Sequence, residues 1–313
     1  MRVLDFLING PIFGVIILFL AVLWMLRDQK DKTRPILVFA LVLNLFYGFL
    51  LNTLMGREGS LFPWKFDYVL FHMDASLGIP SSLIARPLQG FMRTPLVIVY
   101  QLMIPMMITW FLVTRSNRIR GSVVLAYVAE LVTGPLLYAL VPACGPIYAF
   151  GAQWLHPPAV PAEAMKLTGL PNAFPSLHVG TAFVLLLLAP GRFWKAVALL
   201  FFAATCLAIL ATGEHYVIDL VPGLAFGAFA AAIGMQNYRR AAAFFALVVI
   251  WSLSVRFGSS ILIAFPILTR IFAVVTVALA GLALWMSWID LASSSETLNP
   301  AADNGEPARP ATA

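Results

Sequence analysis

Apolar stretches of membrane-spanning length recur along almost the whole chain, and they constrain its fold more than any other feature. A helix needs about 17–25 mainly apolar residues to cross the hydrocarbon core of a bilayer. Because a backbone inside a bilayer must satisfy its own hydrogen bonds, we expect an all-α, polytopic transmembrane helix bundle. We predict about nine spans, at residues 11–26, 35–54, 95–114, 121–141, 176–190, 196–212, 217–235, 241–255 and 271–289.

The composition supports an integral membrane protein. Hydrophobic residues make up 61% of the chain and charged residues 11%, and the mean hydropathy is +0.90, well above the range of soluble domains. We expect residues 1–290 to form the transmembrane domain and residues 291–313 a disordered polar tail. The net charge of +6 lies in short clusters between spans, so we read it as an orientation signal and predict no nucleic-acid partner.

The connections between predicted spans alternate in charge. The segments RDQKDKTR, RSNRIR, GRFWK and NYRR share one predicted side and hold 11 of the 20 Lys and Arg residues. By the positive-inside rule this side is cytoplasmic. The other side then receives residues 55–94, 142–175, 212–216 and 256–270. These assignments predict a multi-pass protein of the cell membrane, with its N-terminus outside and its tail inside.

Two histidine motifs stand on the predicted outer side. His178 lies in PNAFPSLHVGTA, and His215 lies in TGEHYVIDLVPG, four residues before Asp219. The histidines are 37 residues apart, which accommodates one span down, the turn GRFWK and one span back, so both can face one site. The i,i+4 spacing puts His215 and Asp219 on one helical face, where a carboxylate can fix the imidazole tautomer. Two histidines with an orienting acid form a plausible phosphoryl-transfer set.

The start of the span at 176 is a candidate phosphate site. Ser176 can cap the helix or bind an anion through its hydroxyl. Free backbone amides at a helix start, together with the helix dipole, favour a bound phosphate. We therefore expect Ser176 and Leu177 to contact the substrate and His178 to stand beside it as a proton donor.

The order PSLH and then H-x-x-x-D across a two-helix hairpin resembles the second and third signature motifs of the phosphatidic acid phosphatase type 2 superfamily. FPSLHVGTA and HYVIDL look like the branch of the inositol phosphorylceramide synthases and, more distantly, the sphingomyelin synthases. The similarity covers roughly residues 121–235. It implies a six-helix phosphatase or phosphotransferase core and an inositolphosphotransferase-like activity on a lipid phosphate or phospholipid.

The resemblance also implies roles for the motif residues. His215 matches the nucleophile that forms a phosphohistidine, and Asp219 matches the acid that orients it. His178 matches the general acid and base, and Ser176 the phosphate-contacting serine of the second motif. The mechanism implied needs no metal and no cofactor.

The chain departs from the superfamily pattern in its cations. Ala208 and Ile209 occupy the positions of the Ser-Arg pair that precedes the nucleophile in the hydrolases, and the loop before PSLH lacks the first motif, Lys-x6-Arg-Pro. Arg86, in ARP, imitates half of that motif, but Ile79 stands at the Lys position. We keep Arg86 as a candidate substrate-binding residue. Because a phosphodiester carries less charge than a monoester, these losses favour a phosphotransferase over a phosphatase.

Two other functions stay open at this point. A lipid phosphate phosphatase would use the same residues with water as the acceptor. A transporter or channel is the third alternative, because Glu130 lies near the middle of a predicted span, where an ionisable group is costly. Glu130 could instead form a structural hydrogen bond to a neighbouring helix, and the histidines could merely satisfy helix ends.

Overall fold

The computed structural model describes residues 65–114, 117–157 and 172–296, with Val38 and Val42, and only the backbone of Leu112, 117–121 and 290–296. Within these ranges the chain forms α-helices, short 3-10 turns and loops, and no strand. The helices are α1 (Asp67–Ser76), α2 (Ser81–Ala85), α3 (Arg93–Gln101), α4 (Met103–Val113), α5 (Asn117–Leu140), α6 (Pro146–Phe150), α7 (Leu177–Leu187), α8 (Arg192–Thr212), α9 (Val217–Gly234), α10 (Tyr238–Ala264) and α11 (Pro266–Glu296).

Five of the described helices are long and apolar enough to cross a bilayer: α5, α8, α9, α10 and α11. The segments Gly90–Gln101 and Met103–Phe111 pass the same test together as one bent span. Seven of the nine predicted spans fall in the described ranges, and each coincides with one or two of these helices or with the shorter α7. The all-α multi-pass architecture is therefore confirmed. The number nine stays a prediction, since the spans at 11–26 and 35–54 lie outside the described residues.

The bounds of the predicted spans differ from those of the helices, and two of the differences have an identifiable cause. The span at 95–114 is bent by 48° between α3 and α4, because Pro105 has no N–H to donate back to Gln101. Helix α7 ends at Leu187 rather than 190, since the residue before Pro190 is disfavoured in a helix. Helix α10 continues past 255 to Ala264.

Helix α9 is the centre of the bundle. In its apolar window 78% of the residues are buried, against 28% in α10 and 22% in α11. It packs on α5, α7, α10 and α11. Helices α10 and α11 expose large apolar side chains, such as Phe257 and Val274, as expected where a bundle faces lipid tails.

Glycines allow α7 and α9 to pack at backbone contact. A Cβ on Gly223 would lie 2.8 Å from the carbonyl oxygen of Ser176, and a Cβ on Gly227 would collide with the backbone of Gly180. Gly223 and Gly227 are four residues apart, the small-xxx-small spacing that lets membrane helices approach closely. This contact holds α7, which carries His178, directly against α9, which begins two residues after His215.

The basic turns at 191–195 and 237–240 lie at the opposite end of the bundle from the histidine motifs. Lys195, near the start of α8, donates to Ser287 near the end of α11, whereas His215 follows the other end of α8. At the histidine end, Arg256 donates to the carbonyl of Leu140 over 2.6 Å. This separation agrees with the alternation found in the sequence; the compartment that each end faces stays a prediction.

Candidate active site

Helix α7 begins with the serine of the first histidine motif. Ser176 is the N-cap, and its Oγ accepts a hydrogen bond from the amide of Val179 over 3.4 Å. Its own amide donates to the main-chain oxygen of Asp219 over 3.2 Å. The side chain is fully buried. Leu177 and His178 then occupy the first turn of α7, where no intrahelical carbonyl can accept from the backbone amides.

His215 lies in the tight turn between α8 and α9. Gly213 ends α8 with a φ of +76°, a conformation that glycine adopts without strain. The amide of Glu214 donates back to Ile209 over 3.2 Å. His215 is only 4% exposed, so the turn presents its imidazole to the interior of the protein rather than to solvent.

The structure brings the two histidine rings together. Their centroids are 6.2 Å apart, and the ring planes meet at 67°. Nε2 of His215 lies 3.3 Å from Oγ of Ser176. A group held between the rings would therefore be within reach of both imidazoles and of the cap of α7.

A main-chain carbonyl sets the tautomer of His215. Nδ1 lies 2.8 Å from the oxygen of Ala173. Because a carbonyl oxygen only accepts, Nδ1 carries the hydrogen and Nε2 keeps its lone pair. Asp219 is farther away, with Oδ2 3.5 Å from Nδ1, and this oxygen accepts from the amide of Tyr216 over 2.8 Å. The shorter contact of the imidazole is thus with the backbone and not with the acid of its own motif.

The electrostatics keep the His215 imidazole neutral. Burial lowers the pKa of His215 from its usual 6.5 to about 4, although the adjacent Glu214 and the hydrogen bond with Ala173 act in the opposite direction. At neutral pH the ring is therefore unprotonated at Nε2. A neutral imidazole is the form that can act as a nucleophile.

Aromatic and acidic side chains that belong to no recognised motif also line the site. Tyr100, on α3, stacks on His178 with centroids 4.2 Å apart and ring planes at 24°. The hydroxyl of Tyr148 donates to Oε1 of Glu214 over 3.1 Å. Burial raises the pKa of the Glu214 carboxyl and, with the nearby Glu214, raises the pKa of Tyr148 to about 12. Sequence reasoning missed both tyrosines, because Tyr100 looks like a packing residue of an apolar span and Tyr148, in the connection at 142–175, belongs to no motif.

Two acids on α1 reach the backbone around His215. Asp67 accepts from the amides of Cys144 and Gly145 and from the hydroxyl of Tyr216. Asp74 accepts from the amide of Ile218 over 2.8 Å. Sequence reasoning assigned this segment only to the connection at residues 55–94. Asp67 and Asp74 are seven residues apart, which places them on one helical face, two turns from each other. Two acids with this spacing in an apolar stretch were the signal that could have identified the pair.

The segment of Arg86 docks near the site, but its charged group points elsewhere. Nε of Arg86 donates to the carbonyl of Leu155 over 2.7 Å, and the side chain is exposed. Gln89 anchors the same segment by donating to Ala211 at the end of α8 over 2.9 Å. The structure thus places this segment beside the turn that carries His215. Among the contacts of the described residues, none joins Arg86 to His215.

Glu130 lies on α5, where α5 packs against α7. It is fully buried, and its Oε2 accepts from the hydroxyl of Thr181 over 2.7 Å. The predicted hydrogen bond to a neighbouring helix is therefore confirmed. Of the other two histidines, His72 lies against Tyr68 on α1, and His156 is exposed in a loop.

Comparison with known protein families supports the reading of the motifs. The profile of the PAP2 superfamily, whose members are generally phosphatases or phosphotransferases, matches residues 69–233. The match begins within α1 and ends within α9, so it is longer than the resemblance in the sequence and includes Asp74 and Arg86 as well as both histidines. Comparisons with curated proteins and with solved structures gave no significant match. Since the matched region exceeds half of the 313 residues and contains the paired histidines, the chain belongs to the PAP2 superfamily.

Proposed function

We propose that this protein is a membrane lipid phosphotransferase. It moves a phosphorylated headgroup from a phospholipid donor to a lipid hydroxyl acceptor through a phosphohistidine on His215. One observation carries the proposal: Nδ1 of His215 is tied to Ala173, so that Nε2 keeps its lone pair and lies 3.3 Å from Oγ of Ser176, with the ring centroid of His178 6.2 Å from that of His215. A nucleophile and a proton donor thus flank one position for a phosphorus atom.

In the first step Nε2 of His215 attacks the phosphorus of the donor. The bond between phosphorus and the oxygen of the donor's lipid alcohol breaks, and His178, which takes up a proton as the anionic donor binds beside it, gives this proton to that oxygen. The imidazole of His215 becomes positively charged as the new N–P bond forms. Asp219, 3.5 Å from Nδ1, stabilises this charge. The Ser176 hydroxyl and the amides of the first turn of α7 hold the phosphate oxygens.

In the second step the acceptor hydroxyl attacks the same phosphorus. Its proton goes to the now neutral His178, the N–P bond breaks, and His215 returns to its starting form. Both histidines end in the protonation states in which they began, so the cycle needs neither a metal ion nor a cofactor. Water in place of the lipid hydroxyl would turn the same cycle into hydrolysis.

The surroundings of the nucleophile favour a phosphodiester over a phosphomonoester. Ala208 and Ile209, which replace the Ser-Arg pair of the hydrolases, are completely buried and pack against apolar neighbours. Glu214 adds an acid directly beside His215. A monoester carries nearly two negative charges at neutral pH, and this site offers it little compensation, whereas a singly charged diester needs less. Arg86, exposed at the edge, is the side chain we propose for contact with the headgroup.

The positions of the basic turns support a site on the extracytoplasmic side of the cell membrane. Residues 191–195 and 237–240 lie at the opposite end of the bundle from His215. With the basic end in the cytoplasm, donor and acceptor meet at the outer leaflet. The proposal includes the inositolphosphotransferase-like activity that the resemblance of FPSLHVGTA and HYVIDL implies.

The test is a transfer assay with purified protein in nanodiscs. A phospholipid labelled in the phosphate of its headgroup is supplied with ceramide or diacylglycerol. We expect label in a new lipid and, after rapid quenching, acid-labile label on the protein. Replacing His215 with Ala should abolish both signals, because it removes the nitrogen that attacks phosphorus.

The exposed His156 provides the matched control, since His156→Gln changes a histidine outside the site and should leave transfer intact. Replacing His178 with Gln should slow turnover by about 10²- to 10⁴-fold, the usual contribution of a general acid. Normal turnover in the His215→Ala protein would refute the nucleophile. Release of the labelled, phosphorylated headgroup with no new lipid would instead show hydrolysis of the diester, and release of inorganic phosphate from phosphatidic acid would identify a phosphatase.

A further inference from the structure

We infer that Asp67, which lies outside both histidine motifs, is a positioning residue for the His215 imidazole. Asp67 is on α1, is 1% exposed and is 148 residues from His215 in the chain. It acts through the main chain of the two loops that lie between α1 and His215. The kinetic part of this inference rests on the proposed function, whereas the structural part does not.

The carboxylate of Asp67 first binds two main-chain amides of the loop after α5. Its Oδ2 accepts from the amide of Cys144 over 2.9 Å, and its Oδ1 from the amide of Gly145 over 2.8 Å. Two adjacent amides aimed at one carboxylate fix the position and the tilt of this loop. Hydrogen bonds to a charged acceptor are stronger than those between neutral groups.

The peptide unit between Ala143 and Cys144 passes this constraint on. Its N–H points to Asp67, and its carbonyl oxygen, that of Ala143, accepts from the amide of Ala173 over 2.8 Å. The oxygen of Ala173 then accepts from Nδ1 of His215 over 2.8 Å. The N–H and the carbonyl of Ala173 belong to two different peptide units, so this chain of hydrogen bonds transmits position rather than continuous polarisation. By holding the Ala143–Cys144 peptide unit, the carboxylate fixes Ala173 and therefore the carbonyl oxygen that selects the tautomer of His215, whereas Asp219 makes the longer contact with Nδ1.

A second route runs from Asp67 to the residue after the nucleophile. The hydroxyl of Tyr216 donates to Oδ1 of Asp67 over 3.1 Å. The loop that Asp67 holds also lies directly on the histidine turn, because a Cβ on Gly145 would collide with the main-chain oxygen of Glu214. The amide of Ile147 donates to the oxygen of Gly213 over 2.9 Å. Asp67 thus constrains His215 from both sides.

Asp74 supplies the matched comparison. It lies two turns further along α1, is also 1% exposed, and also accepts from two main-chain amides, those of Ser81 over 2.7 Å and Ile218 over 2.8 Å. Neither amide belongs to the chain from Ala143 to Ala173. Asp74→Asn should therefore reproduce the general cost of neutralising a buried acid without loosening the hydrogen bond of Nδ1.

The experiment uses the full chain in nanodiscs, with ¹⁵N-labelled histidine. The Nδ1–H resonance of His215 is assigned by its loss in His215→Ala. We expect Asp67→Asn to shift this resonance and Asp74→Asn to leave it in place. In the transfer assay, Asp67→Asn should slow formation of the phosphohistidine about tenfold, the size expected for a weakened charge-assisted hydrogen bond, while the KM for the donor stays within about twofold.

The outcomes separate the two proposals. A resonance unchanged in Asp67→Asn, or shifted equally by Asp74→Asn, would overturn the inference. A shift confined to Asp67→Asn in a protein that forms no phosphohistidine would uphold the structural relay and refute the proposed reaction. If Asp67→Asn does not fold, Tyr216→Phe removes one donor to the same carboxylate. The resonance must then shift in Tyr216→Phe, and no shift there would overturn the inference.

Discussion

Tyr100 is the residue that holds the plane of the second imidazole. Its ring lies 4.2 Å from that of His178, nearly parallel to it. Proton transfer depends on the direction in which a ring nitrogen points, and a stacked ring restricts rotation about the side-chain bonds of His178. We therefore expect the aromatic ring of Tyr100, more than its hydroxyl, to matter for catalysis.

Substitutions of Tyr100 test this expectation. Tyr100→Phe keeps the ring and should retain most of the transfer activity. Tyr100→Leu keeps a buried apolar side chain but removes the stack, and should lower kcat by about 3- to 10-fold, a change that corresponds to the energy of one aromatic contact, with little change in KM. Equal activities of the two variants would show that the stack has no catalytic role.

Residues of the site could be predicted where they carry a motif. His178, His215 and Asp219 were found because their spacing and order are specific. Tyr100 was not, since an aromatic side chain in an apolar span has the same pattern whether it faces lipid or an imidazole. The oxygen of Ala173 could not be found either, because every residue has a carbonyl and only the fold decides which one meets Nδ1.

At the scale of elements, the contact between α7 and α9 decides how the histidines meet. Helix α7 has only 11 residues, which span about 16 Å, roughly half of the hydrocarbon core of a bilayer. It cannot rely on lipid contact along a full span and instead buries nearly all of its side chains. Its position relative to His215 is set by the glycines of α9.

Enlarging a glycine at this contact should separate the helices. A methyl group on Gly227 would collide with the backbone of Gly180, so Gly227→Ala should lower the thermal inactivation midpoint and the transfer rate together. Gly258, on α10, has no atom within 4 Å of an added Cβ. Gly258→Ala is the control, and it should be neutral or slightly stabilising, because alanine has the higher helix propensity. Equal effects of the two changes would contradict the close approach.

The existence of the apolar helices α3, α4, α5 and α7–α11 followed from hydropathy, but several of their boundaries did not, and the short helices α1, α2 and α6 were not predicted. The bend at Leu102 and the early end of α7 have local causes, in Pro105 and Pro190, that were visible in the sequence. The extension of α10 through Arg256 was not, because it depends on a carbonyl of α5. That guanidinium donates to Leu140, so a residue that predicts the end of a span is accommodated inside a helix.

At the scale of the whole molecule, α1 ties the ends of several helices together. It packs against α9, α10 and α11, and its two acids are buried against the backbone of the site. Burial raises the pKa of Asp67 from 3.8 to about 6 and that of Asp74 to about 7, although their amide hydrogen bonds act in the opposite direction. The folded protein therefore binds protons that the unfolded chain releases between about pH 4 and pH 7.

This difference predicts that stability falls as the pH rises. Below pH 3.8, the pKa of both acids in the unfolded chain, the raised pKa values of the folded state contribute fully to stability. This contribution is lost as the pH rises through the folded-state pKa values of about 6 for Asp67 and about 7 for Asp74. The thermal inactivation midpoint should therefore decrease from pH 5 to pH 8. The double variant Asp67→Asn, Asp74→Asn should flatten this decrease, because neither amide titrates.

Other charged and titratable groups near α1 could mask the effect, so the double variant is compared with wild type at each pH. These groups are Lys65, His72, Tyr216, Asp219, Arg256 and Arg270. Burial lowers the pKa of His72 from its usual value of 6.5, which lies inside the range of the titration. A decrease that persists unchanged in the double variant would show that the two acids are not its source.

The sequence by itself determined the membrane-spanning character of the chain, the helical class of its fold and the histidines of its two motifs. These follow from local properties, because hydropathy over one span and the order of residues in a short motif do not depend on distant parts of the chain. Only the tertiary structure decided that Ala173 is the partner of Nδ1 of His215, that Tyr100 stacks on His178 and that Asp67 binds the amides of Cys144 and Gly145. Such contacts join residues far apart in sequence, and they exist only because α1, α3, α7 and α9 pack at one end of the bundle.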